Sequence, residues 1–457
     1  MIAEASVLRV LDPSERFFWL SDQVATMNLV TGAVLDRRLE PEIISAALRA
    51  VQRVHPWTRA RIEIVDKQPI FVEVTGEIPL EVRTVGGADW LAEVEVEFGR
   101  PFDPSPAPEA RCIYLPIEGV DTSVLLMIQP HAMADGRASS RLIQQVLRAI
   151  AHDGDNLPAR PPGPVPPLLH DHFPAEFRSP RTALDVLQAI RGERQGIGEP
   201  PLVPFHARHQ EAWVPRYQIL VGEPGGLSGL VDQARAAGAT VSGALAAIAL
   251  ESLASLFDES GERTLYLGTP VDLSQRVEPP LPADTVVCAV GMLCTPYRVS
   301  TPDEPDPEHP GPADPALART ITEQFRRELN RGESHLFFRF ARIAAFPASD
   351  EGIRSFADQI DRSPQNLMFT NVGTLDDPDD PPGIRFIFST VAPQPNQIAL
   401  VTFFTYRGRY LVSVSSDRAK LSDAAADKFL AQLAARTGTR RVSDAGFVRP
   451  ADSPEMG

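Results

Sequence analysis

The segment that most restricts the fold is a short, continuous apolar run, SVLLMIQP, at residues 123–130. Polar residues and a proline bound this run, and its side chains do not alternate between polar and apolar, which is typical of a strand buried on both faces. Such a strand needs covering elements on both sides of its sheet. The chain offers amphipathic and apolar helical patterns at 43–55 and 243–257, and paired strand-like runs at 60–74 and 396–417. We therefore predict an α/β (α+β) protein of mixed sheets covered by helices.

Proline-rich stretches suggest how the chain is divided, since 44 of its 457 residues are proline. Residues 158–169, PARPPGPVPPLL, can neither continue a helix nor enter a central strand, so they predict a stiff linker between two lobes. The acidic, proline-rich residues 301–315 predict a surface loop. We predict an N-terminal lobe at residues 1–165, a linker at 166–180, a C-terminal lobe at 181–440 and a loose tail at 441–457.

Charge and hydropathy argue against several classes of partner. The net charge of −16 disfavours nucleic acid and anionic membranes as general partners. No apolar run approaches the ~18–20 residues that cross a bilayer. The first residues, MIAEASVLRVLDPSERFF, are acidic where a signal peptide is basic. We predict a cytoplasmic protein without a membrane span or a nucleic-acid partner, and we expect a monomer.

Metal sites are not indicated by the cysteines or histidines. Three cysteines are too few and too scattered for a disulfide framework or a zinc site, and we interpret them as buried structural thiols: Cys112, Cys288 and Cys294. Four histidines have metal-like spacings, but no carboxylate or thiolate accompanies them at ligand spacing: His170, His172, His206 and His209. We predict neither a metal nor a bound cofactor.

The residues that follow the apolar run carry the candidate chemistry. His131 comes directly after the predicted strand, and Asp135 and Gly136 precede the helical pattern RASSRLIQQVLRAI. The carboxyl ends of strands are where α/β proteins commonly place ligands. An imidazole with a pKa near its ordinary value of ~6.5 can accept a proton from a hydroxyl or amine at neutral pH. Taken alone, however, this spacing favours a structural or solvated histidine and an aspartate that caps the helix.

A resemblance to a known superfamily favours a catalytic role for His131. The segment HAMADG (131–136) resembles the HxxxDG signature of the CoA-dependent acyltransferase superfamily, which includes chloramphenicol acetyltransferase, plant alcohol acyltransferases, nonribosomal peptide condensation domains and polyketide-associated acyltransferases. Five further segments resemble that superfamily in the same order: LRAVQRVHPWTRARI (48–62), FDPSPAPEARCIYL (102–115), TVSGALAAIALESLA (240–254), GTPVDLSQRV (268–277) and FTNVGTL (369–375). The resemblance spans roughly residues 6–430.

That resemblance implies a two-lobed chloramphenicol acetyltransferase-like fold with a tunnel between the lobes. His131 would be the general base that transfers an acyl group from a thioester to a small alcohol or amine, forming an ester or amide. The thioester of acyl-CoA or of a phosphopantetheinyl acyl carrier protein would be a substrate rather than a bound cofactor. Asp135 would form a structural ion pair beside Gly136, and Asn371 and Gly373 would contact the substrate or its oxyanion.

Two departures from the superfamily pattern leave an alternative open. Pro130 stands where many members have a second histidine, and Ser274 stands where the arginine partner of the motif aspartate usually lies. Arg276 would lie on the same strand face as Ser274, about 7 Å along the strand, so we predict that it pairs with Asp135. The alternative function is a non-catalytic module that binds an acyl carrier protein or recruits a partner enzyme.

Three arginines share one face of the helix after the motif: Arg137, Arg141 and Arg148. This face could contact the phosphates of CoA or phosphopantetheine, or an acidic carrier protein. The sequence favours the simpler interpretation of a solvated helix face.

Overall fold

The computed structural model describes residues 6–152, 163–197, 214–257, 261–301, 311–336, 339, 346–362 and 365–443. The predicted linker residues 158–162, the loop residues 302–310, His206, His209 and the tail residues 444–457 lie outside these ranges.

Helices and strands alternate irregularly along the chain. The helices are α1 (Pro13–Val24), α2 (Pro41–Val54), α3 (Trp90–Gly99), α4 (Gly136–Ala151), α5 (Ala175–Arg178), α6 (Pro180–Arg194), α7 (Leu227–Ala236), α8 (Val241–Ala254), α9 (Pro315–Asn330), α10 (Asp350–Asp361) and α11 (Asp423–Thr437), with 3-10 turns at Pro56–Arg59 and Leu169–His172. The strands are β1 (Val7–Val10), β2 (Asn28–Leu35), β3 (Ala60–Val65), β4 (Gln68–Glu73), β5 (Leu80–Val82), β6 (Arg111–Pro116), β7 (Ser123–Pro130), β8 (Pro215–Gly222), β9 (Gly261–Asp272), β10 (Val290–Thr301), β11 (Leu367–Thr374), β12 (Ile384–Val391), β13 (Ala399–Tyr406), β14 (Arg409–Asp417) and β15 (Thr439–Arg441).

A five-stranded sheet in the order β12-β2-β7-β6-β5 forms the centre of the N-terminal half. All eight residues of β7 are buried, so the prediction of a strand covered on both faces is confirmed. The edge strand β12 comes from the second half of the sequence and pairs antiparallel with β2. Gly32 of β2 lies opposite Phe388 of β12, and a Cβ added at Gly32 would come within 2.3 Å of the Phe388 ring. This close approach requires glycine at position 32.

A seven-stranded mixed sheet in the order β10-β9-β11-β13-β14-β8-β15 forms the centre of the C-terminal half. Helix α8 packs on this sheet, and it is the buried helix predicted from the apolar run 243–257. The hairpin β13–β14 confirms the strands predicted at 396–417, and Arg407 and Gly408 at its turn both have positive φ, as tight hairpin turns require. A smaller sheet in the order β1-β4-β3 completes the strands.

The predicted fold class, mixed sheets covered by helices, is therefore confirmed. The exact lobe boundaries stay a prediction, although β12 shows that a strand from the C-terminal part of the sequence completes the N-terminal sheet. Two of the cysteines, Cys112 and Cys288, are buried free thiols, and Cys294 is partly buried.

No single helix within the described ranges is both long and apolar enough to span a bilayer. The pair α7 and α8 meets that criterion only when taken together, and the two helices are bent by 95° at their junction.

Candidate active site

A partly open cavity lies between the five-stranded and seven-stranded sheets, and His131 is in its wall. The strands β2 and β12 contribute lining residues from one side, and β9, β10, β11 and β13 contribute them from the other. Much of the wall is apolar: Phe18, Met27, Leu29, Val271, Val290, Met292, Met368, Val372, Val391 and Leu400. The polar lining includes Asp135, Arg137, Asp272, Asn371, Ser389, Gln394 and Gln397. Such a cavity suits a largely apolar ligand with a few oriented polar groups.

His131 lies in the short turn between β7 and α4, and its ring is oriented by its own loop. The ring Nδ1 lies 3.1 Å from the carbonyl oxygen of Ala134. A carbonyl only accepts hydrogen bonds, so Nδ1 carries the proton and Nε2 holds the lone pair. Burial lowers the pKa of His131 to about 4, so the imidazole is neutral at pH 7. The histidine is thus in the tautomer and charge state of a base.

Phe18 of α1 packs face to face on the His131 ring, with ring centroids 4.0 Å apart and planes 11° from parallel. This stacking restricts the orientation of the ring plane and covers one face of the imidazole. The sequence analysis did not identify Phe18. Its only local signal is the apolar run FFWL, which predicts burial but not the residue that it touches.

We expect Phe18→Leu to lower kcat about two- to tenfold, because an aromatic pair contributes about 0.5–1.5 kcal/mol beyond its buried area. Leucine keeps an apolar side chain at this position and removes the stacked ring. Steady-state kinetics measure the effect. A variant with wild-type kcat would show that the stack does not orient the imidazole.

Two further contacts hold the loop of His131. The backbone N–H of His131 donates to the carbonyl of Met27 at 3.0 Å. The indole N–H of Trp57, which is buried, donates to the carbonyl of Met133 at 2.9 Å. The loop of His131 is therefore hydrogen-bonded to the residue that precedes β2 and to the 3-10 turn after α2. Trp57 lies in the segment HPWTR, which resembled the superfamily, but its role was not predicted.

Asp135 caps α4 and joins the two halves of the molecule. Its Oδ1 accepts from the backbone N–H groups of Arg137 at 3.0 Å and Ala138 at 2.9 Å, and its Oδ2 accepts from Ala289 N–H at 3.0 Å. Burial raises the pKa of Asp135 to about 6, and repulsion by Asp272 adds to this. Asp135 thus caps α4, the structural role that its spacing alone favoured. It also binds the backbone of Ala289, the residue before β10.

The predicted ion pair between Asp135 and Arg276 is not formed. Strand β9 ends at Asp272, and the chain then turns, with Ser274 N–H donating to Asp272 Oδ1 and Arg276 N–H donating to the Leu273 carbonyl. Arg276 is exposed, and its own carbonyl accepts from His335. The prediction assumed that the strand continued past Ser274, and the turn removes that geometry. Three backbone N–H groups take the place of the arginine.

Gly136 and Asn371 reach the cavity with His131, whereas Gly373 does not line it. A Cβ at Gly136 would lie 3.5 Å from Ser389 Oγ, an ordinary van der Waals contact, so packing alone does not require glycine at this position. The Asn371 amide donates from Nδ2 to Ser242 Oγ at 2.8 Å and accepts from Gly373 N–H at 2.9 Å. Gly373 has φ 81° in a bulge of β11, so its role in the structure is a backbone one.

His170, one of the histidines with metal-like spacing, contacts a carboxylate outside the cavity of His131. Its Nδ1 lies 3.0 Å from Asp12 Oδ2, in the turn before α1. In the part of the chain that the structure describes, no three potential metal ligands come together. Pro130 ends β7 opposite Asn28 of β2, so the position before His131 is occupied by a ring without a donor.

Part of the sequence matches a known family, and the fold is similar to solved structures. The family model described as phthiocerol/phthiodiolone dimycocerosyl transferase C-terminus matches residues 228–409. No curated protein sequence matches the chain significantly. Polyketide synthase associated protein 5 from Mycobacterium tuberculosis is similar in structure, with 16% identity, a TM-score of 0.62, and coverage of 94% of this chain and 97% of that one. The family match covers residues 228–409, and the similar structure shows that the whole described fold is of the same kind.

Two other solved structures are similar over nearly the whole chain. Trichothecene 15-O-acetyltransferase from Fusarium sporotrichioides has 16% identity, a TM-score of 0.67 and 94% coverage of both chains. The first condensation domain of the CDA synthetase has 14% identity, a TM-score of 0.68, and covers 95% of this chain and 99% of that one. The chloramphenicol acetyltransferase-like fold predicted from the motifs is thereby confirmed, and the family match over residues 228–409 agrees with the predicted superfamily.

Proposed function

We propose that this protein transfers an acyl group from a CoA or carrier-protein thioester to a small alcohol or amine, with His131 as the general base. One observation carries the proposal. His131 is neutral, its Nδ1–H is held by the Ala134 carbonyl, and it lies in a largely apolar cavity between the two sheets. The apolar wall fits a hydrocarbon acyl chain, and the superfamily supports acyl transfer in general.

The proposed step balances without a cofactor. Nε2 of His131 accepts the proton of the acceptor O–H or N–H as the oxygen or nitrogen attacks the thioester carbonyl carbon. The tetrahedral adduct then collapses, the carbon–sulfur bond breaks, and the imidazolium returns the proton to the leaving thiolate. A low pKa makes His131 a modest base, but its imidazolium is a strong acid toward an alkyl thiolate, since even the thiol of cysteine has a pKa of ~8.5. No acyl-enzyme forms.

The negative oxygen of the adduct needs hydrogen-bond donors. Asn371 Nδ2 uses one proton for Ser242 Oγ, which leaves its second N–H for the cavity. Gly136 is the first residue of α4, where backbone N–H groups lack helical partners. We assign the oxyanion contact to Asn371, with Gly136 as the second candidate.

The test is a panel of acyl-CoA thioesters of increasing chain length, each offered with alcohol and amine acceptors. Thiol release that depends on the acceptor supports the enzyme. The missing Asp135–Arg276 ion pair favours the alternative, a non-catalytic module that binds a carrier protein. Carrier binding without turnover across the panel would establish that alternative and contradict acyl transfer.

The pH dependence of kcat/KM follows from the state of His131. The active form is the neutral imidazole, which predominates above its pKa of about 4. We expect kcat/KM to be constant from pH 8 down to about 5.5 and to fall roughly tenfold per pH unit below about 4. Initial rates at each pH, with circular dichroism to confirm folding, measure it. A half-loss near pH 6.5 would mean that the imidazole is solvated in the working enzyme.

A further inference from the structure

The chain passes from the five-stranded sheet to the seven-stranded sheet through residues 392–398, which we call the crossover turn. Strand β12 precedes this turn and pairs with β2, whereas β13 follows it and pairs with β11 and β14. Ala392, Gln394 and Gln397 of the crossover turn line the cavity of His131. The position of the turn therefore determines part of the cavity wall.

The two glutamines of the crossover turn bind each other. Gln394 N–H donates to Gln397 Oε1 at 2.9 Å, and Gln397 N–H donates to the Gln394 carbonyl at 2.9 Å. Gln397 Nε2 also donates to Gln365 Oε1 at 2.8 Å, which attaches the turn beside β11. Toward α1 the contacts are longer, since Gln394 Nε2 lies 3.4 Å from Ser21 Oγ and 3.7 Å from Met27 Sδ. Contacts of that length hold the turn only weakly.

Lys420, in the turn that follows β14, binds the crossover turn through its backbone. Its Nζ lies 3.1 Å from the Gln397 carbonyl oxygen and 3.3 Å from the Gln394 carbonyl oxygen. Asp417 Oδ2 is 3.8 Å from the same nitrogen, and the lysine side chain is 3% exposed. An ammonium group has three N–H donors and no acceptor. Two carbonyls and one carboxylate therefore match its three donors.

Lys420 keeps its charge although it is buried. Burial lowers its pKa to about 8, and the negative charges of Asp417 and Asp361 oppose this shift. The side chain is therefore protonated at pH 7, and a charged donor forms hydrogen bonds roughly twice as strong as a neutral one. The other two lysines of the chain, Lys67 and Lys428, are exposed. A buried lysine is thus an exception in this protein, and its contacts are with the crossover turn.

We propose that Lys420 is a positioning residue that holds the crossover turn, and with it Gln394 and Gln397, in the wall of the His131 cavity. The ammonium acts through the two carbonyls that it binds. This inference deepens the proposed function, because the turn shapes the space in which the thioester and the acceptor bind.

The chemical step depends less on Lys420 than substrate affinity does. The loop of His131 is held by separate hydrogen bonds, from the Trp57 indole and to the Met27 carbonyl. The crossover turn reaches this loop only through the long contact with the Met27 sulfur. Loss of the ammonium should therefore raise KM and leave kcat nearly unchanged.

Amide hydrogen exchange, followed by mass spectrometry at pH 7, tests whether Lys420 holds the turn. Lys420→Met keeps a long side chain but has no N–H donor, so peptides covering 392–398 should exchange about tenfold faster than in the wild type. Exchange in β7 and α4 should not change. Lys420→Gln, which has an N–H₂ group on a shorter side chain, should recover part of the protection. Lys428→Met is the matched control at an exposed lysine and should exchange as the wild type does.

Steady-state kinetics with an acyl-CoA donor and an acceptor test the consequence for the cavity. Lys420→Met should raise the KM of at least one of the two substrates about tenfold, the loss expected for hydrogen bonds from a charged group. Its kcat should stay within about threefold of the wild type. Lys428→Met should change neither constant more than about twofold.

The proposal is overturned if exchange of 392–398 in Lys420→Met equals that of the wild type, or if exchange rises throughout the chain. A Lys420→Met protein that does not fold would also overturn it, because Lys420 would then support the core as a whole. A fall in kcat with unchanged KM would contradict the positioning role. If the wild type shows no turnover, the proposed function fails, and the exchange result still decides whether Lys420 holds the crossover turn.

Discussion

His131→Ala is expected to lower kcat for acyl transfer about 10²–10⁴-fold, the range that a positioned general base contributes. The variant removes the Nε2 lone pair that accepts the acceptor's proton and the acid that protonates the leaving thiolate. It leaves the loop attached, because the Trp57 bond goes to the Met133 carbonyl and the Met27 contact uses the backbone of residue 131. Thiol release under saturating donor and acceptor measures the effect.

His152→Ala is the control for that experiment. His152 ends the same helix that follows the motif, its side chain is exposed, and its backbone N–H completes the helix. We expect its kcat to stay within about twofold of the wild type, as for exposed substitutions away from a site. Equal rates for His131→Ala and the wild type would show that His131 is not the general base of this protein.

Trp57→Ala should lower the free energy of unfolding by about 3–5 kcal/mol, the usual cost of deleting a buried aromatic side chain. The ring is 1% exposed, packs against Phe71 with centroids 4.3 Å apart, and has the Arg9 guanidinium 4.6 Å from its centroid. Its loss also leaves the Met133 carbonyl without its indole donor. Urea unfolding followed by circular dichroism measures the change.

Trp57→Phe separates the hydrogen bond from the packing. Phenylalanine retains most of the apolar contact but has no N–H, so the cost should be about 1–3 kcal/mol for an unsatisfied buried carbonyl. Since that carbonyl belongs to the His131 loop, kcat should also fall. Wild-type stability and kcat in this variant would show that the indole bond does not hold the loop.

The sequence predicted the local part of the fold well because neighbouring side chains determine it. The apolar run 123–130 and the pattern of α4 were enough to place His131 in a turn at the end of a buried strand. The pairing of β12 with β2 was not predictable, because the hydrophobic pattern of β12 does not indicate which of the sheets this strand joins. Strand order depends on contacts between residues more than 340 positions apart.

The site was predictable to the same extent. His131, Asp135, Gly136 and Asn371 do meet at one cavity, and the ordered motifs were the basis for that prediction. Phe18 was missed because its stacking partner is distant in sequence. The predicted pairing of Arg276 with Asp135 was wrong because it assumed that β9 continues through residues 273–276. The chain turns there instead, and the segment LSQR contains no residue that indicates a turn. The backbone N–H of Ala289, which Asp135 binds instead, has no side-chain signal at all.

Acyl transfer in the cavity of His131 is distinguished from binding and from hydrolysis by its products. The most direct measurement counts both products of one reaction: free thiol by a chromogenic reagent and acylated acceptor by mass spectrometry, for an acyl-CoA donor and its best acceptor. We expect one acylated acceptor for each thiol released by the wild type, and both products reduced together in His131→Ala. Thiol released without acylated acceptor, or acylated acceptor formed equally by the variant, would contradict it.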